Sequence, residues 1–335
     1  MDISWPGPRT LAIAVDEASQ VGQARRAAQA LAEAAGFDEA DSGRVALVAT
    51  ELATNVIKHG RSGHLHLGGL AGTGARGVEL CAVDRGPGFD LADCRIDGYS
   101  TRGTNGIGLG AIERQAQVFE TYSDERGAIV LARFYPRNAT NADRPFGVRC
   151  VPMKGESVAG DGWHASWSEA QLSLAVVDGL GHGPAAHDAA QAGIGAIARD
   201  PSSDPATAIA RMHAAMTGTR GGAAAVARYD GQSGRLTYAG IGNIAASLID
   251  LAGSRGLASH AGIVGAQFRK TQAFDFPDSR NKLLIMHSDG LQSRWTLQAY
   301  PGLVQRHPSI IAAVLLRDFD RGRDDTTVVV ARLGE

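Results

Sequence analysis

The 335-residue chain carries 33 Lys and Arg against 35 Asp and Glu, a net charge of -2, and 43 glycines in a largely aliphatic composition. That length suits two domains of ordinary size better than one core, and the balanced charge, with no basic tract, excludes a protein built to hold nucleic-acid phosphates. The opening "MDISWPGPRTLAIAVDEA" has no positive head before an apolar run and no later stretch reaches the ~20 apolar residues of a membrane span, while Cys81, Cys94 and Cys150 offer neither a disulfide framework nor paired metal spacing, so a cytoplasmic protein away from membranes is expected, its cysteines packed as core residues.

In chain order, the first half reads as a strand, a long helix ("EASQVGQARRAAQALAEAAG") and a second helix ("GRVALVATELATNVIKHG") with apolar spacing through Val45, Val48, Leu52 and Val56 and a stop at Gly60. Strands "GHLHLGGLAG" and "GVELCAVDRG" follow, then a loop, a helix from about Gly108 that includes "AIERQAQVF", and strand "AIVLARFY". Strands joined this tightly imply an antiparallel or mixed sheet with helices to one side, an α+β layer. "YPRNATNADRPFG" interrupts strand-like runs on both sides, which places one domain over residues 1–137, a linker over 138–146 and a second domain over 147–335.

On the second helix Glu51, Asn55 and His59 recur every four residues, so they share one face while Leu52, Val56 and Ile57 pack another. A lone Glu/Asn pair is most simply a solvated face. Two glycine-rich stretches change that: "DRGPGF" (84–89) ends a strand and "TNGIGLG" (104–110) runs into a helix, both suited to bringing backbone N–H groups near a polyphosphate. No G-x-x-x-x-G-K-[ST] occurs, which excludes a P-loop.

The order E-x-x-x-N, D-x-G-x-G, G-x-G-x-G resembles the N, G1 and G2 boxes of the GHKL (Bergerat) ATPase superfamily, an α/β sandwich, and in particular its anti-sigma-factor serine kinases of the RsbT and RsbW type, over about residues 10–135. The resemblance implies ATP with Mg²⁺ as cofactor. Asn55 would ligate the Mg²⁺, Glu51 would accept the proton of the attacking serine or threonine, and Asp84 would bond the adenine amino group. Gly86, Gly88, Gly106, Gly108 and Gly110 would shape the pocket, and His59 is left with two readings, finishing the cleft or, the favoured one, capping the helix. A histidine kinase is the nearest rival inside the superfamily; such proteins carry a phosphoacceptor helix pair ahead of the ATP domain, and with about forty residues before this one the switch-protein kinase is the expected type.

The second half places acidic residues at the ends of apolar strands in "LSLAVVDGLGHGPAAHDAA", "LLIMHSDG" and "RGRDDTTVVVARL", so that backbone stiffness aims Asp178, Asp289 and Asp324 in fixed directions. Carboxylates gathered in this way suit Mg²⁺ or Mn²⁺, although any single Asp-Gly pair is an ordinary turn. "VVDGLGHG" imitates a dinucleotide fingerprint, but Pro184 stands where the third glycine belongs. The ordered set, with "GDGW", "GIGN" and "GIVG", resembles the compact SpoIIE-like, RsbX-like branch of the PPM serine/threonine phosphatases, an αββα sandwich, over about 147–333.

That resemblance implies two Mn²⁺ or Mg²⁺ ions: Asp178 bridges both, the Gly179 carbonyl ligates one, Asp289 and Asp324 hold the other, and Asp161 binds through water, with Asp325 the alternative to Asp324. Where some members have a histidine after Asp-Gly this chain has Leu180, leaving His182 or water as proton donor and His187 and His287 as structural residues. Together the halves imply a bifunctional partner-switching regulator that phosphorylates and dephosphorylates a STAS-domain, anti-sigma-factor-antagonist-like partner, with a further switch protein as a second partner. The alternatives are a non-catalytic or single-activity switch that sequesters a STAS protein or sigma factor, and an ATP domain that only senses nucleotide.

Overall fold

The structure, a computed structural model, describes residues 3–7, 9–72, 74–89, 108–137 and 143–334. By contacts the chain divides into two compact units: Thr10–Arg144 with Tyr300–Val314, and Met1–Arg9 with Pro145–Ala299 and Leu315–Glu335. Two short segments thus depart from the division expected from the sequence. The chain opens with β1 (Ile3–Pro6), which pairs antiparallel along β8 (Asp161–Trp167) of the second unit, where Trp5 sets its ring edge-on to Trp163 at 4.9 Å. Buried aromatic area, not chain proximity, decides where this strand goes.

In the first unit β2 (Leu11–Ala14), β3 (Gly63–Ala71), β4 (Arg76–Asp84), β6 (Gly127–Phe134) and β5 (Val118–Asp124) form, in that spatial order, a five-stranded antiparallel sheet. Helices α1 (Ala18–Ala34) and α2 (Glu39–His59) share one core with its alternate residues: Ala24, Ala28, Val45, Leu52 and Val56 meet Leu65, Leu67, Leu80 and Phe134. Asp38 caps α2 by accepting from the Asp41 N–H at 2.7 Å. The short α3 (Leu109–Gln115) adds Leu109 and Ile112 to the core.

The expected helix through "AIERQAQVF" stops early. Ala116 is already extended, and Val118 and Phe119 begin β5, which pairs with β6 over its full length. β-Branched and aromatic residues facing a preformed strand outweigh a weak local helical pattern.

The segment Tyr300–Val314 joins the first unit through a buried polar network. Arg133 on β6 lies 2.8 Å from both the Glu79 and Asp143 carboxylates and donates to the Ser309 hydroxyl at 2.6 Å; Ser309 in turn donates to Glu79 at 2.6 Å. His307 meets Asp143 at 3.1 Å. Burial alone would lower the Arg133 pKa, but the two carboxylates reverse that and hold it above its ordinary value. A buried charge requires such partners, and the sequence spreads them over more than two hundred residues.

The second unit faces two antiparallel sheets. One runs β1, β8, β9 (Gln171–Gly179), β10 (Gly222–Asp230), β11 (Arg235–Ile241), β16 (Phe274–Phe276); the other runs β13 (Gly253–Leu257), β12 (Ala245–Asp250), β17 (Leu283–His287), β18 (Thr326–Arg332), β7 (Phe146–Val151); β14 (Gly262–Ile263) and β15 (Gln267–Phe268) pair separately. Trp163, Leu174, Val176, Tyr238, Met286 and Val329 share the core of the two sheets. On the other face of the larger sheet Val177, Val226 and Ala239 meet Ile194 of α4 (Pro184–Arg199) and Met212 and Met216 of α5 (Pro205–Met216).

Candidate functional site

In the first unit, α2 positions the polar face. Leu52 and Val56 anchor the helix in the core while Glu51 and Asn55 remain half-buried, and Thr50 and Thr54 return their hydroxyls to the carbonyls one turn back. His59 is the last helical residue, with an exposed side chain. Asp84, the last residue of β4, is brought beside this helix end: a Cβ on Gly86 would lie 2.6 Å from the His59 carbonyl and 3.0 Å from the Asp84 carboxylate. The Asp84 carboxylate accepts from the N–H of Gly86 at 2.7 Å and of Ala128 at 3.3 Å, which fixes its direction. Gly88 turns the chain with φ +77° against the Asp124 carbonyl. Gly108 is the N-cap of α3 and Gly110 is buried in its first turn, while Gly106 lies outside the described residues. The C-terminal end of the helix and the first glycine segment therefore come together.

The second unit brings its carboxylates together from both sheets. Asp161 opens β8 and Asp178 sits near the end of β9, directly opposite it in the register of the two strands. Burial first, then the charges of Asp161, Asp289 and Asp324, push the Asp178 pKa up to about 9. Asp161 rises to about 7 through burial, opposed by hydrogen bonds from Ser288 and Thr327. Gly179 must be glycine, because its added Cβ would lie 2.2 Å from the Ala186 carbonyl.

Like charges held this close leave the folded chain short of a cation, and a set of hard oxygen donors fits a divalent one such as Mg²⁺ or Mn²⁺. Among the described residues no three His, Cys, Asp or Glu side chains converge to metal-holding distance.

The adjacent Asp324 and Asp325 do different work. Both oxygens of buried Asp325 are taken, by the N–H groups of Met153 and Gly160, each at 2.8 Å. Asp324 is half-exposed and accepts from the Asp325 N–H at 2.9 Å, so it is the one of the pair with coordination capacity to offer.

His182 meets Glu156 at 2.7 Å in an exposed position, with exposed Leu180 two residues before it. His187 bonds the Ala159 carbonyl at 2.8 Å, and His287 is held between the Ser288 carbonyl and the Trp295 indole N–H.

Two supporting residues escape a reading of motifs. Buried Ser288 donates to Asp161 at 2.7 Å and accepts from the Thr327 N–H at 2.9 Å, and Asn243 donates to Asp289 at 2.7 Å. Ser288 directly precedes Asp289 and Asn243 closes "GIGN", yet neither residue type in a turn announces a partner dozens of residues away.

These arrangements define an α+β protein that couples a GHKL-like ATPase domain to a PPM-type phosphatase domain. Residues 14–134 match the histidine kinase-like ATPase domain, the family to which this part of the chain belongs, and residues 168–334 match Stage II sporulation protein E (SpoIIE). It is 32% identical over 101 residues to the serine/threonine-protein kinase RsbT of Bacillus subtilis, covering 30% of this chain and 76% of that protein. It is 26% identical over 139 residues to the phosphoserine phosphatase RsbX of the same organism, covering 41% of this chain and 70% of that protein. A solved structure described as "The bacterial stressosome: a modular system that has been adapted to control secondary messenger signaling" matches with TM-score 0.52 and 27% identity, covering 56% of this chain and 98% of that one.

Proposed function

We propose that the chain is a bifunctional partner-switching regulator, which phosphorylates a serine or threonine of a STAS-domain partner with its first unit and removes that phosphate with its second. The observation that carries the reading is the opposed pair Asp161 and Asp178, joined electrostatically by Asp289 and Asp324, in a chain that also brings Asp84 to the C-terminal end of the helix that carries Glu51 and Asn55. The relatives support it: one is named a serine/threonine-protein kinase and the other a phosphoserine phosphatase.

In the first unit Asn55 would hold the Mg²⁺ of ATP, Asp84 the adenine amino group, and Gly86, Gly88, Gly106, Gly108 and Gly110 the phosphates and pocket walls, while Glu51 accepts the proton of the incoming hydroxyl. Phosphoryl transfer asks mainly for such positioning and charge compensation. In the second unit Asp178, the Gly179 carbonyl, Asp289 and Asp324 would hold two Mn²⁺ or Mg²⁺ ions, with Asp161 contributing through water. Bound divalent cations supply charge neutralisation of the phosphate and acidification of a water. Ser288 and Asn243 keep Asp161 and Asp289 aimed, and Asp325 keeps the Met153 and Gly160 loops in place. On the partner, a phosphate of about −1.5 to −2 charge disrupts a packed interface, so adding and removing it is a switch.

The test uses two full-length variants. Asp178→Asn protein is given ATP and a cognate STAS protein, the modified residue is mapped by mass spectrometry, and the purified phosphoprotein is offered with Mn²⁺ to Asn55→Ala protein. Recovery of the unmodified partner is expected. Removal of phosphate from other phosphoproteins but not from this site would show that the two units serve different substrates.

A further inference from the structure

The second unit contains an open cavity of about 680 Å³ lined by Gln292, Ser293, Arg294, Asp320, Arg321 and Arg323. Two loops build it. One leaves β17 directly after Asp289 and Gly290; the other follows α6 (Pro308–Phe319) and ends at Asp324, one residue past Arg323. The cavity's lining is therefore within three residues in sequence of two of the carboxylates assigned to the metal site, Asp289 and Asp324.

The loops are knitted to each other. Leu291 pairs with Asp320 in an antiparallel bridge, the Arg321 N–H donates to the Gly290 carbonyl at 2.9 Å and the Gln292 N–H to the Phe319 carbonyl at 2.9 Å. Trp295 pins the first loop by donating to buried His287 at 3.3 Å. In the second loop the Asp320 carboxylate is taken up internally, accepting from the Gly322 N–H at 3.1 Å and the Thr326 hydroxyl at 2.9 Å. Asp320 thus commits one oxygen to holding its own loop, and the three guanidiniums of the lining outnumber its single charge.

What remains is three exposed guanidiniums on a rigid frame. Among the described residues none of Arg294, Arg321 and Arg323 has an ion-pair partner. Elsewhere in the same unit exposed arginines do pair, Arg211 with Asp200 and Arg235 with Asp275. Three unpaired guanidiniums cost electrostatic repulsion unless an anion visits them, and their planar forks match carboxylate and phosphate oxygens.

We infer that this arginine cradle binds a second oxyanion of the phosphoprotein substrate, a carboxylate or a further phosphate a few residues from the scissile phosphate, and so selects which phosphorylated segments are dephosphorylated. The inference rests on the phosphatase reading for the identity of the neighbouring site. The chemistry is complementary: the acidic cluster of Asp161, Asp178, Asp289 and Asp324 takes cations that capture one phosphate, while the cradle next to it takes anions directly. A segment with only one negative group engages one of the two.

The test measures binding to the full chain, so that it does not depend on turnover. Fluorescein-labelled peptides with a central phosphoserine are compared by anisotropy in chelator at low salt: one flanked on both sides by aspartates, one by a second phosphoserine, one by alanines. Three exposed charge pairs, each of modest strength, predict about tenfold tighter binding of the flanked peptides than of the alanine peptide, a preference that shrinks with added salt. In the Arg294→Gln, Arg321→Gln, Arg323→Gln triple variant the preference should fall to nearly nothing, with circular dichroism and melting unchanged. The tighter of the two flanked peptides identifies the source of the oxyanion.

Equal binding of all three peptides by the wild type, or a preference kept by the triple variant, overturns the inference. So does a uridine oligonucleotide that binds the wild type more tightly than any peptide and loses that binding in the variant, which would make the cradle an RNA site. Hydrolysis of p-nitrophenyl phosphate with Mn²⁺, assayed in parallel on the wild type, reports separately on the phosphatase reading.

Discussion

Asp161 and Asp178 stand opposite each other on neighbouring antiparallel strands, with the Asp161 carboxylate anchored by Ser288 and the pKa of Asp178 raised first by burial and then by its acidic neighbours. Two buried carboxylates in register are a stability cost unless a cation joins them. Asp178→Asn removes a carboxyl that burial and its acidic neighbours force to take up a proton at a cost in stability, so in chelator at neutral pH this variant should melt a few degrees above the wild type, whereas added Mn²⁺ should stabilise the wild type and leave the variant unmoved. Calorimetry with and without Mn²⁺ checks both statements. An equal response to Mn²⁺ in the two proteins would remove Asp178 from the metal site.

Asn55 and Glu51 are one turn apart on the same half-buried helix face, yet their assigned roles differ. Asn55→Ala should abolish Mg²⁺-dependent nucleotide binding and leave p-nitrophenyl phosphate hydrolysis by the second unit intact. Glu51→Gln should keep nucleotide affinity and lose transfer by about 10²- to 10⁴-fold, the usual worth of a general base. Isothermal titration with ATP and a radiolabel transfer assay separate the two, and unchanged transfer in Glu51→Gln would end its assignment as base.

How much of this was legible in the sequence depends on the range of the interactions. Residues carried by one element were readable: the Glu51, Asn55, His59 stripe follows from helical period, and Asp178 and Asp289 from apolar runs ending in Asp-Gly. Pairings across the chain were not. Nothing in "SWP" shows that Trp5 will pack on Trp163, and Arg133 reads as a polar strand residue until Glu79, Asp143 and Ser309 close around it. The roles of Asp324 and Asp325 were open for the same reason, since only the Met153 and Gly160 amides show which one is spent on structure. β5 was missed because local helical spacing in "AIERQAQVF" carries no information about the strand waiting beside Val118.

His307 gives the first unit a pH dependence of predictable sign. Its Nε2 faces Asp143 at 3.1 Å and its Nδ1 accepts from the Ser309 N–H at 3.1 Å, an arrangement for the neutral ring protonated at Nε2. Burial, and then the Arg133 charge, hold its pKa below the ordinary value, despite the opposing pull of Asp143 and Glu79. The unfolded chain accepts a proton near pH ~6.5 while the folded one resists it, so this contribution to stability is complete above that pH and is lost as the pH falls from there towards the lowered folded value. Asp143, whose own pKa is held well below the carboxylate range chiefly by Arg133 against the effect of burial, contributes stability that is complete at these pH values and is lost only at much lower pH. Hydrogen exchange of β4 and β6, corrected for intrinsic rates, should show protection declining between pH 7 and 5.5 in the wild type but not in His307→Gln, which keeps a donor for Asp143 without a titrating ring. Equal declines in both would assign the effect to another group.

Gly127, at the turn into β6, carries the last prediction. Its φ is +136°, and an added Cβ would lie 1.9 Å from the Asp84 carbonyl and 2.8 Å from the Arg85 Cα. The start of β6 is thus pressed against the strand end that aims Asp84, and the next residue, Ala128, donates its N–H to the Asp84 carboxylate. Gly127→Ala cannot be absorbed by a side-chain rotation, because both close contacts are to backbone, and its conformation adds about 1–3 kcal/mol of strain. The expected result is displacement of Asp84 and a loss of nucleotide affinity of about tenfold or more, equivalent to at least ~1.4 kcal/mol, with p-nitrophenyl phosphate hydrolysis unaffected. Gly68→Ala is the control, since nothing lies within 4 Å of its added Cβ; it should bind ATP like the wild type. If Gly127→Ala also binds ATP like the wild type, Asp84 is not the residue that holds the adenine.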